Sequence, residues 1–134
     1  MNVLFVCVGN SGRSVMAERL FRRAAGGLHE SRSAGAAAAG ESAEPVVIEA
    51  LKEVGIDASD HVPRKLDDRL LEWADVVVAT CDDSCPYVPG KHYANWQLPD
   101  PKNQPIERVR AIRDDIAARV AHLVRDLDAE DVRA

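Results

Sequence analysis

The sequence predicts an α/β fold, a small three-layer sandwich in which a central parallel sheet of about four strands is flanked by helices, with a P-loop after strand 1. Two apolar runs, 2–8 and 75–80, are typical of strands buried on both faces. Segments with helical spacing alternate with these runs, as a parallel sheet requires. The 134 residues suffice for one well-packed domain, so a single domain is expected over residues 1–134.

The other elements follow from periodicity and from residues that begin or end helices. Gly26 follows the first helical pattern and Gly55 follows the second, which Pro45 opens. Residues 36–40 are predicted to form a loop, and 81–101 is predicted to be irregular because it carries four of the seven prolines. The predicted helices are 14–25, 44–54, 64–73 and 106–127, and a short second strand is predicted at 29–34.

Composition narrows the class of protein. Hydrophobic residues make up 46% and charged residues 29% of the chain, which is typical of a soluble globular protein. The net charge of -5 argues against a nucleic-acid partner. No apolar run approaches the roughly 18 residues of a membrane span, and the first residues lack the pattern of a signal peptide. A cytoplasmic location is therefore expected, where three cysteines are more often catalytic or redox-active than structural.

The loop after the first strand carries the chemistry. Cys7 ends the strand, and Arg13 and Ser14 follow at the start of a helix. Such a loop can direct backbone N–H groups and a guanidinium at a tetrahedral oxyanion, and the same positive field favours the thiolate of Cys7 as a nucleophile. Ser14 is placed to donate a hydrogen bond to that thiolate. The predicted oxyanion-binding residues are Val8, Gly9, Asn10, Ser11, Gly12, Arg13 and Ser14. The structural alternative is a buried strand-end cysteine beside a surface arginine.

These residues resemble the low-molecular-weight tyrosine phosphatase superfamily and, within it, the arsenate reductases. The segment 7–18, Cys-Val-Gly-Asn-Ser-Gly-Arg-Ser-Val-Met-Ala-Glu, is similar to the P-loop and first helix of those reductases. Further similar segments follow in order at 33–35, 50–57, His61, 100–101 and 109–115. The resemblance covers nearly the whole chain and implies a monomeric enzyme that needs no cofactor. Its P-loop is specific to the superfamily and common to more than one activity.

Asp100 is the predicted general acid. It lies between two prolines, which stiffen the loop and hold the carboxyl in place. Sequence alone would make Asp100 a turn residue. In the family, an Asp before Pro protonates the leaving oxygen, and Asp100 matches that position. We expect its carboxyl to be partly buried beside the bound anion.

Cys81 and Cys85 are the candidates for a redox relay. In thioredoxin-coupled arsenate reductases, a second cysteine attacks the cysteine–arsenate adduct and releases arsenite, and a third takes over the disulfide. The resemblance places Cys81 and Cys85 in those roles, with a thioredoxin-like protein or a small thiol as reductant, and the spacing of the two cysteines resembles that of an actinobacterial subgroup. Two alternatives remain: inert thiols, or a zinc site with His92. Zinc lacks an apparent fourth ligand, so no metal is predicted.

Several positions depart from the family pattern. Gly12 stands where many reductases have another cysteine. Some members bind potassium through residues matching Asn10, Glu18 and Ser33 plus an acid, and here Arg64-Lys65 stands near the acid's position. Glu18 is therefore expected to pair with a base or to fix the loop. Lys102-Asn103 replaces the aromatic residues that follow Asp-Pro in tyrosine phosphatases.

The resemblance thus implies an arsenate reductase with residual phosphatase activity. The alternative is a phosphatase that hydrolyses phosphomonoesters through a Cys7 phosphoenzyme. A further alternative is an anion-binding module without catalytic activity. Such a module would not need Cys7, Arg13 and Asp100 together, so the presence of all three argues against it.

Overall fold

Four parallel strands and four helices form the described part of the chain. The computed structural model describes residues 1–80 and 92–133. Neighbouring strands pair in parallel in the order β2-β1-β3-β4. The strands are β1 (Asn2–Cys7), β2 (Glu30–Gly35), β3 (Val76–Ala79) and β4 (His92–Asn95), and the helices are α1 (Arg13–Ala25), α2 (Pro45–Lys52), α3 (Asp68–Trp73) and α4 (Ile106–Arg133).

The side chains of β1 divide the interior into two apolar layers. Val3 and Phe5 point into the larger layer, which α1, α2 and α4 cover. Leu4 and Val6 point to the other face, which packs against α3. Both faces of this central strand are buried, as its uninterrupted apolar sequence predicts. The three-layer α/β fold is therefore confirmed.

The third helix is shorter than the predicted 64–73. It begins at residue 68 because the Asp67 side chain accepts a hydrogen bond from the Leu70 N–H at 2.9 Å and caps the helix. Just before the cap, the chain runs beside β2: the Gly35 N–H donates to the Arg64 carbonyl, and the Leu66 N–H donates to the Gly35 carbonyl. The prediction was wrong for 64–67, where these contacts take the place of helical hydrogen bonds.

The predicted irregular segment 81–101 contains a strand, and the prediction was wrong there. β4 pairs with β3 in register Val77↔Tyr93. The four residues of β4 have only a weak strand signal in the sequence, and the pairing with β3 makes them a strand. The last helix also runs past the predicted end at residue 127, because no Gly or Pro follows to stop it. None of the described helices, α4 included, is long and apolar enough to cross a membrane.

A group of ion pairs joins α2 to α4. The carboxylate of Glu53, just after α2, accepts hydrogen bonds from Arg110 Nη2 at 2.6 Å and from Arg113 Nη1 at 2.8 Å. Arg113 Nη1 also donates to the Ala50 carbonyl at 2.9 Å. The hydrogen bond from Arg110 first, and then that from Arg113, lowers the pKa of Glu53 from 4.5 to about 2.

Removing the Glu53 charge is expected to destabilise the fold in a pH-dependent way. The pKa of Glu53 is lower in the folded chain than in the unfolded chain. Its contribution to the free energy of unfolding is therefore present above pH 4.5 and is lost as the pH falls towards about 2. We therefore expect Glu53→Gln to lower the urea midpoint at about pH 6, with a difference from wild type that shrinks by about pH 3. The matched control is Glu49→Gln on the exposed side of α2. An equal deficit at both pH values would contradict this role.

Candidate active site

The carboxyl end of β1 opens into a cavity of about 400 Å³. Its wall is the P-loop, residues 7–14, where all the residues except Asn10 and Ser14 line the cavity. Glu44, Asp100 and Lys102 also line the cavity. The cavity therefore lies at the carboxyl edge of the sheet, where parallel α/β folds place their ligands.

The sulfur of Cys7 is surrounded by hydrogen-bond donors at the base of this cavity. The residue is only 3% exposed. The Asn10 N–H donates to Sγ at 3.2 Å, and the Ser14 hydroxyl oxygen lies 2.8 Å from Sγ. Ser14 is fully buried at the start of α1. Both groups are placed to donate a hydrogen bond to this one sulfur.

The side chain of Asn10 sets the direction of the Ser14 hydrogen bond. The Arg64 N–H can only donate, so the Asn10 atom 2.9 Å away is the carbonyl oxygen Oδ1. Nδ2 then faces Ser14 and donates to its hydroxyl oxygen at 2.8 Å. The Ser14 proton is left to point at the Cys7 sulfur. Asn10 thus fixes a donor chain that ends on the Cys7 sulfur.

Backbone hydrogen bonds leave the P-loop with free donors and occupied acceptors. The carbonyls of residues 7–12 each accept a hydrogen bond; the donors include the Ala36 N–H, the Glu44 N–H and His61 Nε2. By contrast, the N–H groups of residues 8, 9 and 11–14 have no hydrogen-bond partner in the described part of the chain. A buried N–H needs an acceptor, so this run of backbone is suited to an anion.

His61 and Gly35 are site residues that sequence analysis did not assign a role. His61 is buried, and its Nε2 donates to the Asn10 carbonyl at 2.8 Å, which requires a proton on Nε2. Gly35, at the end of β2, lies so close to the P-loop that a Cβ there would be 2.5 Å from the Val8 carbonyl oxygen. Both residues lie far from the P-loop in sequence, so no local pattern predicts that they contact it.

Asn10 is the only P-loop residue with a positive φ, at 53°. Neither Gly9 nor Gly12 adopts a positive φ, so neither is needed for a left-handed turn. Gly12 is required for a different reason: a Cβ there would lie 2.8 Å from Pro101 Cγ. Its small size lets the loop that carries Asp100 approach the P-loop closely.

Arg13 connects the P-loop to the loop that carries Asp100. Its buried guanidinium donates from Nη1 to the Leu98 carbonyl at 3.1 Å, and Nη2 lies 4.0 Å from Asp100 Oδ2. Asp100 Oδ1 accepts from the Lys102 N–H at 3.0 Å. The Asp100 side chain is 60% exposed, so the expectation of a partly buried carboxyl was wrong in degree. It stands at the cavity mouth because the turn to Lys102 holds it outward.

The aromatic residues near the site in sequence pack elsewhere. Trp96 packs against Phe5 with ring centroids 5.8 Å apart, and Tyr93 and Trp73 pack around the second apolar layer. In the described wall of the cavity there is no aromatic side chain. Cys81 and Cys85 lie outside the described residues, as does the His92 side chain, so the predicted relay and the zinc alternative stay predictions.

The position matching the potassium site of some relatives does not fit a cation. Ser33 Oγ donates to Glu18 Oε1 at 3.0 Å, and Arg22 Nη2 lies 3.3 Å from Glu18 Oε2. Asn10 Oδ1 is taken by the Arg64 N–H. The oxygen atoms of Glu18 and Asn10 that would hold the ion are thus engaged by donors, and Arg64-Lys65 stands near the acid's position. Glu18 pairs with a base, as expected.

Comparison with known proteins agrees with this geometry. A family model described as low molecular weight phosphotyrosine protein phosphatase matches residues 2–133. The chain belongs to this family. The resemblance noted from the P-loop is therefore confirmed, and it places the chain in a family of enzymes.

The relatives of this family member include arsenate reductases and phosphatases. Arsenate reductase 2 of Staphylococcus haemolyticus is 36% identical over 122 residues, which are 88% of this chain and 92% of that protein. A thioredoxin-dependent arsenate reductase of Corynebacterium glutamicum has 37% identity and a TM-score of 0.81, over 96% of this chain and 62% of that one. The YwlE arginine phosphatase of Geobacillus stearothermophilus has 30% identity and a TM-score of 0.87, and the match covers 98% of this chain and 96% of that one.

Proposed function

We propose that this family member is an arsenate reductase. One observation supports it most: the buried Cys7 sulfur lies under two donors, at the base of a loop with free backbone N–H groups. Arsenate is a tetrahedral oxyanion that such a loop would bind. The similarity to proteins named arsenate reductase, over 88% of the chain, favours this substrate. We further propose that the chain acts as a cytoplasmic monomer.

The first step is nucleophilic attack on arsenic. Arsenate binds to the N–H groups of residues 8–14 and to the guanidinium of Arg13, and the Cys7 thiolate forms a sulfur–arsenic bond. Asp100 protonates the oxygen that leaves, which departs as water. Ser14 stabilises the thiolate before the attack. The arsenic remains in its oxidised state, so this step is a substitution and is common to arsenate and phosphate.

The second step is the reduction, and it needs two further thiols. The Cys81 thiolate attacks the Cys7 sulfur, the Cys7–Cys81 disulfide forms, and arsenic leaves with the electron pair as arsenite. Cys85 then attacks Cys81, which releases Cys7 as a thiolate and leaves a Cys81–Cys85 disulfide. A thioredoxin-like dithiol, or two molecules of a small thiol, reduces that disulfide. Two electrons thus pass from thiols to arsenic in each cycle.

Replacing either relay cysteine is expected to separate reduction from hydrolysis. Cys81→Ser and Cys85→Ser should each abolish arsenate-dependent NADPH consumption with thioredoxin and its reductase, because serine cannot form the disulfide. Each variant should still hydrolyse an aryl phosphate at the wild-type rate. Ser84→Ala, between them, is the matched control. Mass spectrometry after one turnover without reductant should find a Cys81–Cys85 disulfide. Normal arsenate reduction by both variants would exclude the relay.

Hydrolysis of a phosphoryl group is the second candidate activity, because Cys7, Arg13 and Asp100 suffice for it. An aryl ester favours aromatic walls, and the described wall has none. The carboxylate of Glu44 lines the cavity instead, together with Lys102, and it would attract a cationic leaving group such as a guanidinium. The structural similarity to an arginine phosphatase also favours a substrate with a guanidinium leaving group. Comparing kcat/KM for phosphoarginine and phosphotyrosine tests it, and a preference for phosphotyrosine would reject it.

Adding a methyl group at Gly12 is expected to impair proton donation by Asp100. The new Cβ would lie 2.8 Å from Pro101 Cγ, so Pro101 and the adjoining Asp100 must shift. We expect Gly12→Ala to slow hydrolysis of an ester with a poor leaving group by about tenfold or more, and of p-nitrophenyl phosphate by less, since a good leaving group needs less protonation.

The rescue variant for this prediction is Gly12→Ala with Pro101→Ala, which removes the atoms that the new methyl group meets. It should recover part of the lost rate relative to Pro101→Ala alone, as a double-mutant cycle measures. Strictly additive effects of the two substitutions would contradict a steric origin.

A further inference from the structure

A second cavity, of about 450 Å³, lies behind the P-loop and shares no residue with the first among those that the structure describes. Four arginines line it: Arg19, Arg22, Arg32 and Arg64. Two carboxylates, Glu18 and Asp60, also line it. We call this cavity the arginine pocket. Its composition differs from an ordinary surface cleft because the arginines outnumber the acids by two.

The two carboxylates of the arginine pocket are already neutralised. Glu18 pairs with Arg22, with 3.3 Å between Oε2 and Nη2. Asp60 pairs with Arg19, with 3.1 Å between Oδ1 and Nη1. The Nε of Arg19 is buried and has no hydrogen-bond partner, and the nearest carboxylate oxygen, Glu18 Oε1, lies 3.8 Å from it. The pairs therefore cancel, and an unsatisfied donor remains in the wall.

Arg32 and Arg64 supply the surplus positive charge. Neither guanidinium forms an ion pair or hydrogen bond with the described part of the chain. Arg32 stacks on Trp73, with its central carbon 4.3 Å from the ring centroid. Stacking uses the flat face of a guanidinium and leaves the N–H groups at its edge available to an anion. The backbone N–H and carbonyl of Arg64 are held by Asn10 and Gly35, so its side chain starts from a fixed point.

We propose that the arginine pocket binds a tetrahedral inorganic oxyanion of the size of sulfate or phosphate, as a site separate from the P-loop. Two guanidiniums that have no partner among the described residues, together with the buried Nε of Arg19, match a doubly charged oxyanion. The paired Glu18 and the engaged Asn10 leave no such match for a cation.

The arginine pocket also contacts the P-loop through one residue. The Arg64 N–H donates to Asn10 Oδ1, and His61, which lines the pocket, donates to the Asn10 carbonyl. Asn10 in turn donates to Ser14 and to the Cys7 sulfur. An anion that orders the segment carrying Arg64 therefore stabilises the donor chain beneath the nucleophile.

Isothermal titration of the full chain with sodium sulfate, at constant ionic strength, tests the proposal. We expect two sulfates per wild-type chain, one in each cavity. Arg32→Ala/Arg64→Ala should weaken the second site by about tenfold or more, while sulfate still inhibits competitively at the P-loop. Arg13→Ala should retain the second site only. Arg69→Ala/Arg108→Ala removes two exposed charges elsewhere and should retain both sites.

Each of three results would overturn the proposal. One is a single sulfate per wild-type chain that competes with substrate. Another is loss of the second sulfate in the Arg69→Ala/Arg108→Ala control, which would assign it to net charge. The third is a rise in thermal stability when sodium is replaced by potassium at constant sulfate, which would make the arginine pocket a cation site. Circular dichroism of each variant confirms that the fold is retained.

Discussion

Cys7→Ser is expected to abolish both arsenate reduction and hydrolysis of phosphate esters, lowering kcat/KM by at least about 10⁴-fold. Serine has nearly the shape of cysteine and can keep the hydrogen bonds to Ser14 and to the Asn10 N–H. Its hydroxyl, however, is not ionised near neutral pH, so the donors around it have no anion to stabilise. The loss is therefore chemical, and the P-loop should still bind an oxyanion.

Two measurements separate loss of the nucleophile from loss of the fold. Steady-state assays with arsenate and with an aryl phosphate give the two activities, and titration with phosphate reports whether the P-loop still binds. Phosphate affinity within about threefold of wild type, with both activities absent, is the expected combination. Hydrolysis within about tenfold of the wild-type rate would show that another group attacks the substrate.

Gly35→Ala has the second largest expected effect, because its Cβ would enter the backbone of the P-loop. That Cβ would lie 2.5 Å from the Val8 carbonyl oxygen and 2.9 Å from the Asn10 nitrogen. Both contacts are with backbone, so the loop itself must move. A shift of about 1 Å in the N–H groups and in the Cys7 sulfur is expected to reduce both activities by about 10²-fold or more.

The same substitution is expected to lower the free energy of unfolding by about 1–3 kcal/mol, the usual cost of overpacking. Urea unfolding measures this, and phosphate binding reports the damage to the loop. Ala38→Ser, in the loop that follows β2, is the matched control and should change neither quantity. Wild-type activity in Gly35→Ala would show that the P-loop tolerates displacement. The close approach of Gly35 to the P-loop would then not matter for activity.

The predicted parts of the fold are those with continuous local signals. β1 is an unbroken apolar run, and α1 carries its apolar stripe through to the glycines that end it. β4 could not be predicted, since a four-residue edge strand owes its existence to pairing with β3. The early start predicted for α3 has a similar cause: contacts with Gly35 hold residues 64–66 extended, and no periodicity within the segment reports them.

The candidate site divides in the same way. Cys7, Arg13 and Ser14 stand in one short segment at a strand-to-helix junction, so their assembly follows from the sequence alone. Asp100 required a family resemblance, because nothing local shows that its loop meets the P-loop. His61 reaches the Asn10 carbonyl from 51 residues away, and a lone histidine gives no hint of such a contact.

The hydrogen-bonded carbonyls of residues 7–12 have a consequence for any attempt to copy the site. A synthetic peptide with this sequence would expose its carbonyls and amides alike to water, and its preference for anions would vanish. The recognition is conferred by the distant segments that occupy those carbonyls, among them Ala36, Glu44 and His61. Grafting the chemistry onto another scaffold would require transplanting these anchoring partners together with the octapeptide.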